Sequence, residues 1–244
     1  MKNGVQVTGM VLSSMPIGEY DRRISLLTRE LGKISVFAKG ARKPKGAFVA
    51  CTQTFAYGEF TVFPGRAYTL IGAEIGNYFE EFRDDFEKMY RGMYFCEVAG
   101  FFAQEGLDES ERLKLLYATL TALSKGRMDP VLLKAVFDLR MLVIEGEGPE
   151  VTSCVGCRKP YSGGDSRFGL HEGGLLCGDC FVEDSIPVHD GTVRALNYIC
   201  HAELSKLFSF ELTEERRAEL CDVVRQYFAL HVDRKFKSEE MYGL

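Results

Sequence analysis

Cys154-Val155-Gly156-Cys157 and Cys177-Gly178-Asp179-Cys180 form two C-x-x-C pairs, separated by the 19 residues from Arg158 to Leu176. The chemistry such pairs offer is metal binding. Two thiolates two residues apart can turn inward on one tight loop, and a second loop completes a tetrahedron around one Zn²⁺. Gly156 and Gly178 lie inside these loops, where a flexible backbone helps the chain turn around an ion. Four sulfurs leave no coordination position for an activated water, so the zinc is expected to be structural. Iron in the same cage, a redox dithiol and four unrelated core cysteines are the competing readings. A redox dithiol wants a single pair beside a βαβ pattern, and this chain has two pairs. Between them, Ser166 to Leu170 and Leu175-Leu176 flank His171-Glu172-Gly173-Gly174, which predicts a short hairpin of the zinc-ribbon kind. His171 is expected to be a solvent-facing turn residue rather than a fifth ligand.

A second cluster offers phosphate chemistry. Lys39-Gly40-Ala41-Arg42-Lys43-Pro44-Lys45 places four positive charges in seven residues with no acid. Its glycine and proline mark a loop, from which the charges can fan out. Arg22, Arg23, Arg29 and Lys33 precede it and Arg66 follows. Residues 1–78 carry ten Lys/Arg against five Asp/Glu (+5) and the remainder twenty against thirty (−10), which together give the net charge of −5. A polyanion-binding front end on an acidic body accounts for this asymmetry; a solvated loop and chance are the plainer readings. Tyr20, Phe37, Phe48, Tyr57 and Tyr68 are candidates for stacking on bases, and at least half of them are expected in the core.

The elements that must position these residues change character along the chain. From Val5 to about Phe79 the signals are β-type: a first strand ending before Pro16, then Ile24–Thr28, a turn at Glu30–Lys33, Ile34–Ala38, Thr54–Phe63 and Tyr68–Gly72. Five strands with glycine-rich turns in so short a span predict a small closed barrel, for which the OB-fold is the five-strand example. From about Glu80 the period is helical. Phe82, Phe86, Met89, Met93 and Cys96 form one stripe, and Leu113, Leu116, Leu120 and Leu123 another. Asp129-Pro130 heads a helix with Leu132, Val136, Leu139 and Val143 inward, stopping near Gly146 or Gly148. After the ribbon come Val193, Leu196, Cys200 and Leu204, then Leu220, Val223, Tyr227 and Leu230 behind a Thr213 cap. The expected fold class is α+β and multidomain: an OB-fold barrel over 1–79, and a helical bundle over 80–150 and 186–244, interrupted by a four-cysteine zinc ribbon over 151–185.

A chain of 244 residues with 46 % hydrophobic and 27 % charged residues can bury ample core, which excludes a disordered or fibrous class. No 18-residue uncharged apolar run occurs and the amino terminus lacks an apolar leader, so neither a membrane span nor secretion is expected. Eight cysteines without a secretion signal then point to a reducing cytoplasm, with Cys51, Cys96, Cys200 and Cys221 as core residues. Nucleotide-binding, nucleophile-elbow and H-E-x-x-H motifs are absent, and His189, His201 and His231 are scattered. The chain is therefore expected to bind rather than catalyse. A zinc-ribbon interaction scaffold with only incidental DNA contact is the first alternative. The second is a nuclease or zinc hydrolase, which would need an open metal position.

Pro16-Ile17-Gly18-Glu19-Tyr20-Asp21, Leu26-Leu27-Thr28, Gly32-Lys33 and Ala38-Lys39-Gly40-Ala41-Arg42-Lys43 resemble the opening of the bacterial RecO family of recombination mediators. The order of elements that follows is also similar, including the knuckle Glu172-Gly173-Gly174-Leu175-Leu176-Cys177. Arg22-Arg23 stands where that family more often has apolar residues, which leaves open the face that strand buries. The resemblance implies an OB-fold barrel, a helical domain and a zinc ribbon that some members lack. It implies binding of single- and double-stranded DNA and annealing of complementary strands. Implied partners are RecR, the acidic C-terminal tail of single-stranded-DNA-binding protein, and RecA, which is loaded onto gaps. Arg29, Lys33, Lys39, Arg42 and Lys43 match the family's basic amino-terminal run, and the expected location is the cytoplasm, at the nucleoid.

Overall fold

A computed structural model describes residues 4–242; Met1 to Asn3, the first residues of the stretch expected to lack an apolar leader, lie outside the described residues. The chain divides into two compact units, Met1–Ser124 with Lys235–Leu244, and Lys125–Arg234. The helices at 86–102 and 110–124 thus group with the amino-terminal strands.

The first unit holds five strands: β1 (Val5–Ile17), β2 (Asp21–Thr28), β3 (Gly32–Ala38), β4 (Tyr57–Phe63) and β5 (Tyr68–Asn77). They close into a barrel in the order β1-β2-β3-β5-β4, with β3 and β5 parallel and the other pairs antiparallel. Strand alternation explains the closure. Val7, Ile24, Leu26, Ile34, Val36, Phe60, Val62 and Leu70 are buried and meet in one core.

Three strand limits differ from those expected. β1 runs through Pro16, which pairs with Arg22, instead of stopping before it. The pairing of β1 with β4 ends at Met10, so the far edge at Pro16 needs no amide donor. A register shift between Val11 and Ser13 marks a bulge in the β1–β2 pairing, just past the last residue that β1 pairs with β4. β4 begins at Tyr57, because Gln53 to Ala56 make a turn closed by the Ala56 amide on the Gln53 carbonyl at 3.2 Å. β5 continues to Asn77, five residues past Gly72, paired along β4. The face of β2 is also settled: Ile24 and Leu26 point inward with Arg22 half-buried behind them, and Arg23 faces out.

A 3₁₀ turn (Glu80–Phe82), α1 (Phe86–Phe102) and α2 (Ser110–Ser124) complete the unit, together with α6 (Lys237–Tyr242). Asp85 caps α1 by accepting the Lys88 amide at 3.0 Å. The expected α1 stripe is rotated. Phe86 is 69 % exposed, and the buried residues are Gly92, Tyr94, Phe95, Cys96, Val98 and Ala99. Both α2 and α6 contact α1, with Phe236 5.7 Å from Tyr94, so its buried surface is wider than one stripe. The α2 stripe is buried as the periodicity predicts.

The second unit contains α3 (Pro130–Glu145), β6 (Ser166–Gly169), β7 (Gly174–Cys177), β8 (Ile186–Val188), α4 (Asp190–His201) and α5 (Glu214–His231). Asp129 caps α3 through the amides of Val131 and Leu132 at 3.0 and 3.1 Å, and Thr213 caps α5. The strands form a three-stranded sheet, β7-β6-β8. α4 stops at His201, so Leu204 falls beyond it and Leu207 is the buried residue there; Leu230, in the last turn of α5, is 46 % exposed. Arg140 of α3 donates to the carbonyls of Ile199 and Cys200 at 3.1 and 2.8 Å, satisfying the end of α4. The architecture is the α+β arrangement expected: a five-stranded barrel, helices, and a four-cysteine segment between α3 and α4.

Candidate metal centre and nucleic-acid interface

The first cysteine loop is fixed by backbone bonds. The Cys154 amide donates to the Lys159 carbonyl at 2.9 Å, the Val155 amide to Leu175 at 2.8 Å, and the Arg158 amide back to Cys154 at 2.8 Å. The second loop closes with the Cys180 amide on the Cys177 carbonyl at 3.0 Å, at the end of β7. These turns gather the sulfurs of Cys154, Cys157, Cys177 and Cys180 to within 4.8 Å of one another. A tetrahedral ion with sulfur ligands at about 2.3 Å spaces them by about 3.8 Å. Cys157 Sγ and Cys177 Sγ are 3.7 Å apart, so the donor set fits one metal ion. Gly156 is there for space: a Cβ on it would sit 3.0 Å from Cys180 Cβ and 3.3 Å from its sulfur. Gly178 has no such neighbour, and neither glycine is left-handed; that conformation falls to Arg158, at φ 62°.

The electrostatics of the cluster suit a cation. Burial works to raise the pKa of Cys154, but the amides of Cys157, Cys177 and Gly156 outweigh it and bring the thiol down to about 6. Hydrogen bonding with Cys157 and Cys177, then burial, pushes Cys180 up to about 12. Packed this closely, the sulfurs cannot all hold negative charge unless a positive ion sits among them. His171 is exposed on the β6–β7 turn.

The basic residues of the barrel separate into two groups. Arg22, Arg23, Lys39, Arg42 and Lys43 lie at one end of the β2–β3 hairpin or in the loop leaving it, and Lys45 follows. The Arg42 amide donates to the Tyr20 carbonyl at 2.8 Å and its guanidinium to Gly18 at 3.1 Å, fastening the loop to the β1–β2 turn. Lys43 Nζ stands 5.6 Å over the Tyr20 ring. Arg22 reaches the Thr52 carbonyl at 3.5 Å. Arg66 sits in the β4–β5 turn, two residues before Tyr68, which pairs with Val36 of β3. None of these seven cations has a carboxylate at ion-pair distance among the described residues. The helices of the same unit differ: Arg83 pairs with Glu80, Lys88 with Asp85, Arg91 with Glu87 and Arg112 with Glu109. Arg29 and Lys33 lie at the opposite end of the hairpin, about 20 Å away at ~3.3 Å per residue. Arg29 pairs with Glu30 at 3.8 Å, and the Lys33 ammonium is bonded to the Gly100 carbonyl.

Residues 1–79 match the family model described as "Recombination protein O N terminal", and residues 83–240 the one described as "Recombination protein O C terminal". The chain belongs to the RecO family. It is 33 % identical over 238 residues to the DNA repair protein RecO of Acetivibrio thermocellus, covering 96 % of this chain and 94 % of that one. The RecO of Alkaliphilus metalliredigens is 31 % identical, at 97 % and 98 % coverage. That of Bacillus subtilis is 30 % identical, at 95 % and 91 %.

One feature of this RecO-family chain has no sequence motif behind it. The Tyr161 hydroxyl donates to Asp190, which also accepts the Gly164 amide at 3.2 Å, tying the ribbon's loop to the first turn of α4. Beside this tie is a cavity of about 690 Å³ lined by Arg167, Phe181, His189, Arg216 and Glu219. Its residues come from separate stretches of chain, so no local pattern could mark it. Among the described residues, no helix is long and apolar enough to cross a membrane.

Proposed function

We propose that this chain is a DNA repair and homologous recombination mediator that handles strands without catalysing a covalent step. It binds single- and double-stranded DNA through phosphate contacts, independent of sequence, and anneals complementary strands by lowering the repulsion between them. With RecR it helps load RecA onto gaps coated with single-stranded-DNA-binding protein, whose acidic tail it contacts, in the cytoplasm at the nucleoid. Membership of the RecO family supports this reading, as do relatives named for DNA repair. The observation that carries it is the group of seven barrel cations left without carboxylate partners, since unpaired charge on one surface attracts a polyanion. The interface comprises Arg22, Arg23, Lys39, Arg42, Lys43, Lys45 and Arg66. The four cysteines hold a structural Zn²⁺, which supplies rigidity to the ribbon and no open position for chemistry.

A salt titration of single-strand affinity tests the interface. If about four cations neutralise phosphates, the log–log slope is about −2.8, roughly a fifty-fold loss between 50 and 200 mM salt. Replacing Arg42, Lys43 and Lys45 together by alanine should flatten that slope by about 2. An unchanged slope would remove these residues from the interface.

A further inference from the structure

We propose that Cys157 and Cys177 form a peroxide-reactive modification site, at which oxidation replaces the metal cross-link between the two cysteine loops by a disulfide. This rests on the structural-zinc reading above and adds a second covalent state of the same ribbon.

Access separates the four sulfurs of the cluster. Cys154 is 4 % exposed, Cys177 and Cys180 are half-buried, and Cys157 is exposed. A small oxidant therefore meets Cys157 first. Position then selects its partner. Cys157 Sγ lies 3.7 Å from Cys177 Sγ, close to contact and across the loops rather than within one. Backbone register sets that approach: the Val155 amide donates to the Leu175 carbonyl at 2.8 Å, and each of these residues stands two positions before one cysteine of the pair. The Cys154 sulfur is engaged instead with the Cys177 amide, at 3.4 Å. The thiols outside the cluster compete poorly. Burial pushes Cys51 and Cys221 up to about 11 and Cys200 up to about 12, and it raises Cys96 as well, so little thiolate forms at any of them near neutral pH.

Metal-ligating cysteines are thiolates, the form that attacks peroxide. The Cys157 thiolate attacks one oxygen of hydrogen peroxide; the O–O bond breaks, a sulfenic acid forms, and the departing hydroxide takes a proton to become water. The Cys177 thiolate then attacks the Cys157 sulfur, the S–O bond breaks, and a second hydroxide leaves as water. Two thiolates lose two electrons and the peroxide gains them, with two protons drawn from solvent. Cys154 and Cys180 alone are too few ligands for a four-coordinate structural ion, so the metal is released. The new bond joins the same two loops, and the ribbon keeps its closure. Exposed at Cys157, that bond is open to attack by free thiols and therefore reversible.

Titration of the full chain with hydrogen peroxide tests the site, read by a zinc-sensitive dye, by amide exchange and by tryptic mapping without reductant. Zinc content before treatment checks the metal reading separately: a chain that holds none overturns that reading, and the map still decides the site. Peroxide should release about one zinc per chain. Cleavage after Arg158, Arg167 and Arg194 puts Cys154 and Cys157 in the peptide 141–158, and Cys177 and Cys180 in the peptide 168–194. Oxidation should join these two peptides, with fragmentation placing the bond at Cys157–Cys177, and dithiothreitol should separate them again. The oxidised chain should keep the amide protection over residues 151–180 that chelation alone removes. Bonds confined to Cys154–Cys157 or Cys177–Cys180, or sulfinic acid at Cys157 with no disulfide, would overturn the proposal. So would a ribbon that loses its protection on oxidation as fully as on chelation.

Discussion

The ammonium of Lys33 in β3 donates to the carbonyl of Gly100 in the last turn of α1. A cation there satisfies a helix-end acceptor and complements the negative end of the helix dipole. Lys33 stands in the basic run that the sequence brings forward for phosphate binding, yet its charge is engaged within the protein. Lys33→Ala should cost about 1.5–3 kcal/mol of stability in chemical denaturation, as expected for a hydrogen bond to a charged group. Its salt slope for single-stranded DNA should equal that of the wild type. A flattened slope at unchanged stability would return Lys33 to the interface.

The sulfur cluster predicts how metal loss spreads. The ribbon has packing of its own, with Phe168, Leu175 and Leu176 buried and the Phe168 ring edge-on to Tyr227 of α5 at 5.4 Å. Structural zinc contributes roughly 10–16 kcal/mol apparent in small peptides that have little other core. Cys177→Ser, or chelation, should therefore release the ion and abolish amide protection over residues 151–180, while the barrel keeps its protection. X-ray absorption should show four sulfurs at about 2.3 Å in the wild type. An oxygen or nitrogen in that shell, or ribbon protection that survives chelation, would contradict the structural role.

Periodicity made the barrel and the helices legible, because alternate burial in Ile34–Ala38 and the spacing of Leu113, Leu116, Leu120 and Leu123 follow from strand and helix geometry alone. The cysteine spacing located the cluster of four sulfurs that could hold a metal ion for the same reason: a local pattern encoded a local turn. What periodicity could not supply was the state of an element's neighbours. Pro16 reads as a stop, yet it sits in β1 because that edge has no partner. Phe86 reads as core, yet it is exposed at the first position of α1, and the buried residues of that helix begin at Gly92. Among the cations, composition could not tell Lys33, bonded to α1, from Arg23, unpaired on the outer face. That distinction arises only when β3 meets the end of a helix 67 residues later in the chain.

The Tyr161–Asp190 tie predicts a pH window for the second unit. The hydrogen bond from Tyr161 holds the Asp190 carboxyl below the usual range, against the effect of burial. A depressed carboxyl pKa adds stability above the ordinary value near 3.8, and this is lost as pH falls through the folded value. Burial first, then the bond to Asp190, pushes the Tyr161 phenol up to about 12. That contribution is complete below 10.0 and is lost as pH rises toward about 12. Tyr161→Phe should return Asp190 toward its ordinary pKa in an NMR titration and shallow the stability profile at both ends. An Asp190 pKa indifferent to the substitution would show that the bond does not form in solution.

The turn between β2 and β3 predicts a cost set by crowding more than by backbone strain. Gly32 has φ +67°, and a Cβ placed there would lie 1.9 Å from the Gln104 carbonyl oxygen. That carbonyl accepts the Lys33 amide at 3.1 Å, and the Gly106 amide donates to Leu31 at 2.9 Å, so the hairpin tip is fastened to the segment after α1. Gly18, in the β1–β2 turn, has a similar φ of +56° but nothing within 4 Å. Gly18→Ala should therefore cost only the strain of a left-handed alanine, about 1–2 kcal/mol. Gly32→Ala must also push the hairpin tip away from the Gln104 backbone and should exceed that by at least another ~1–2 kcal/mol. Matched denaturation curves for the two variants would decide it, because equal losses would mean that the contact between the hairpin and residues 104–106 adds nothing to the barrel's stability.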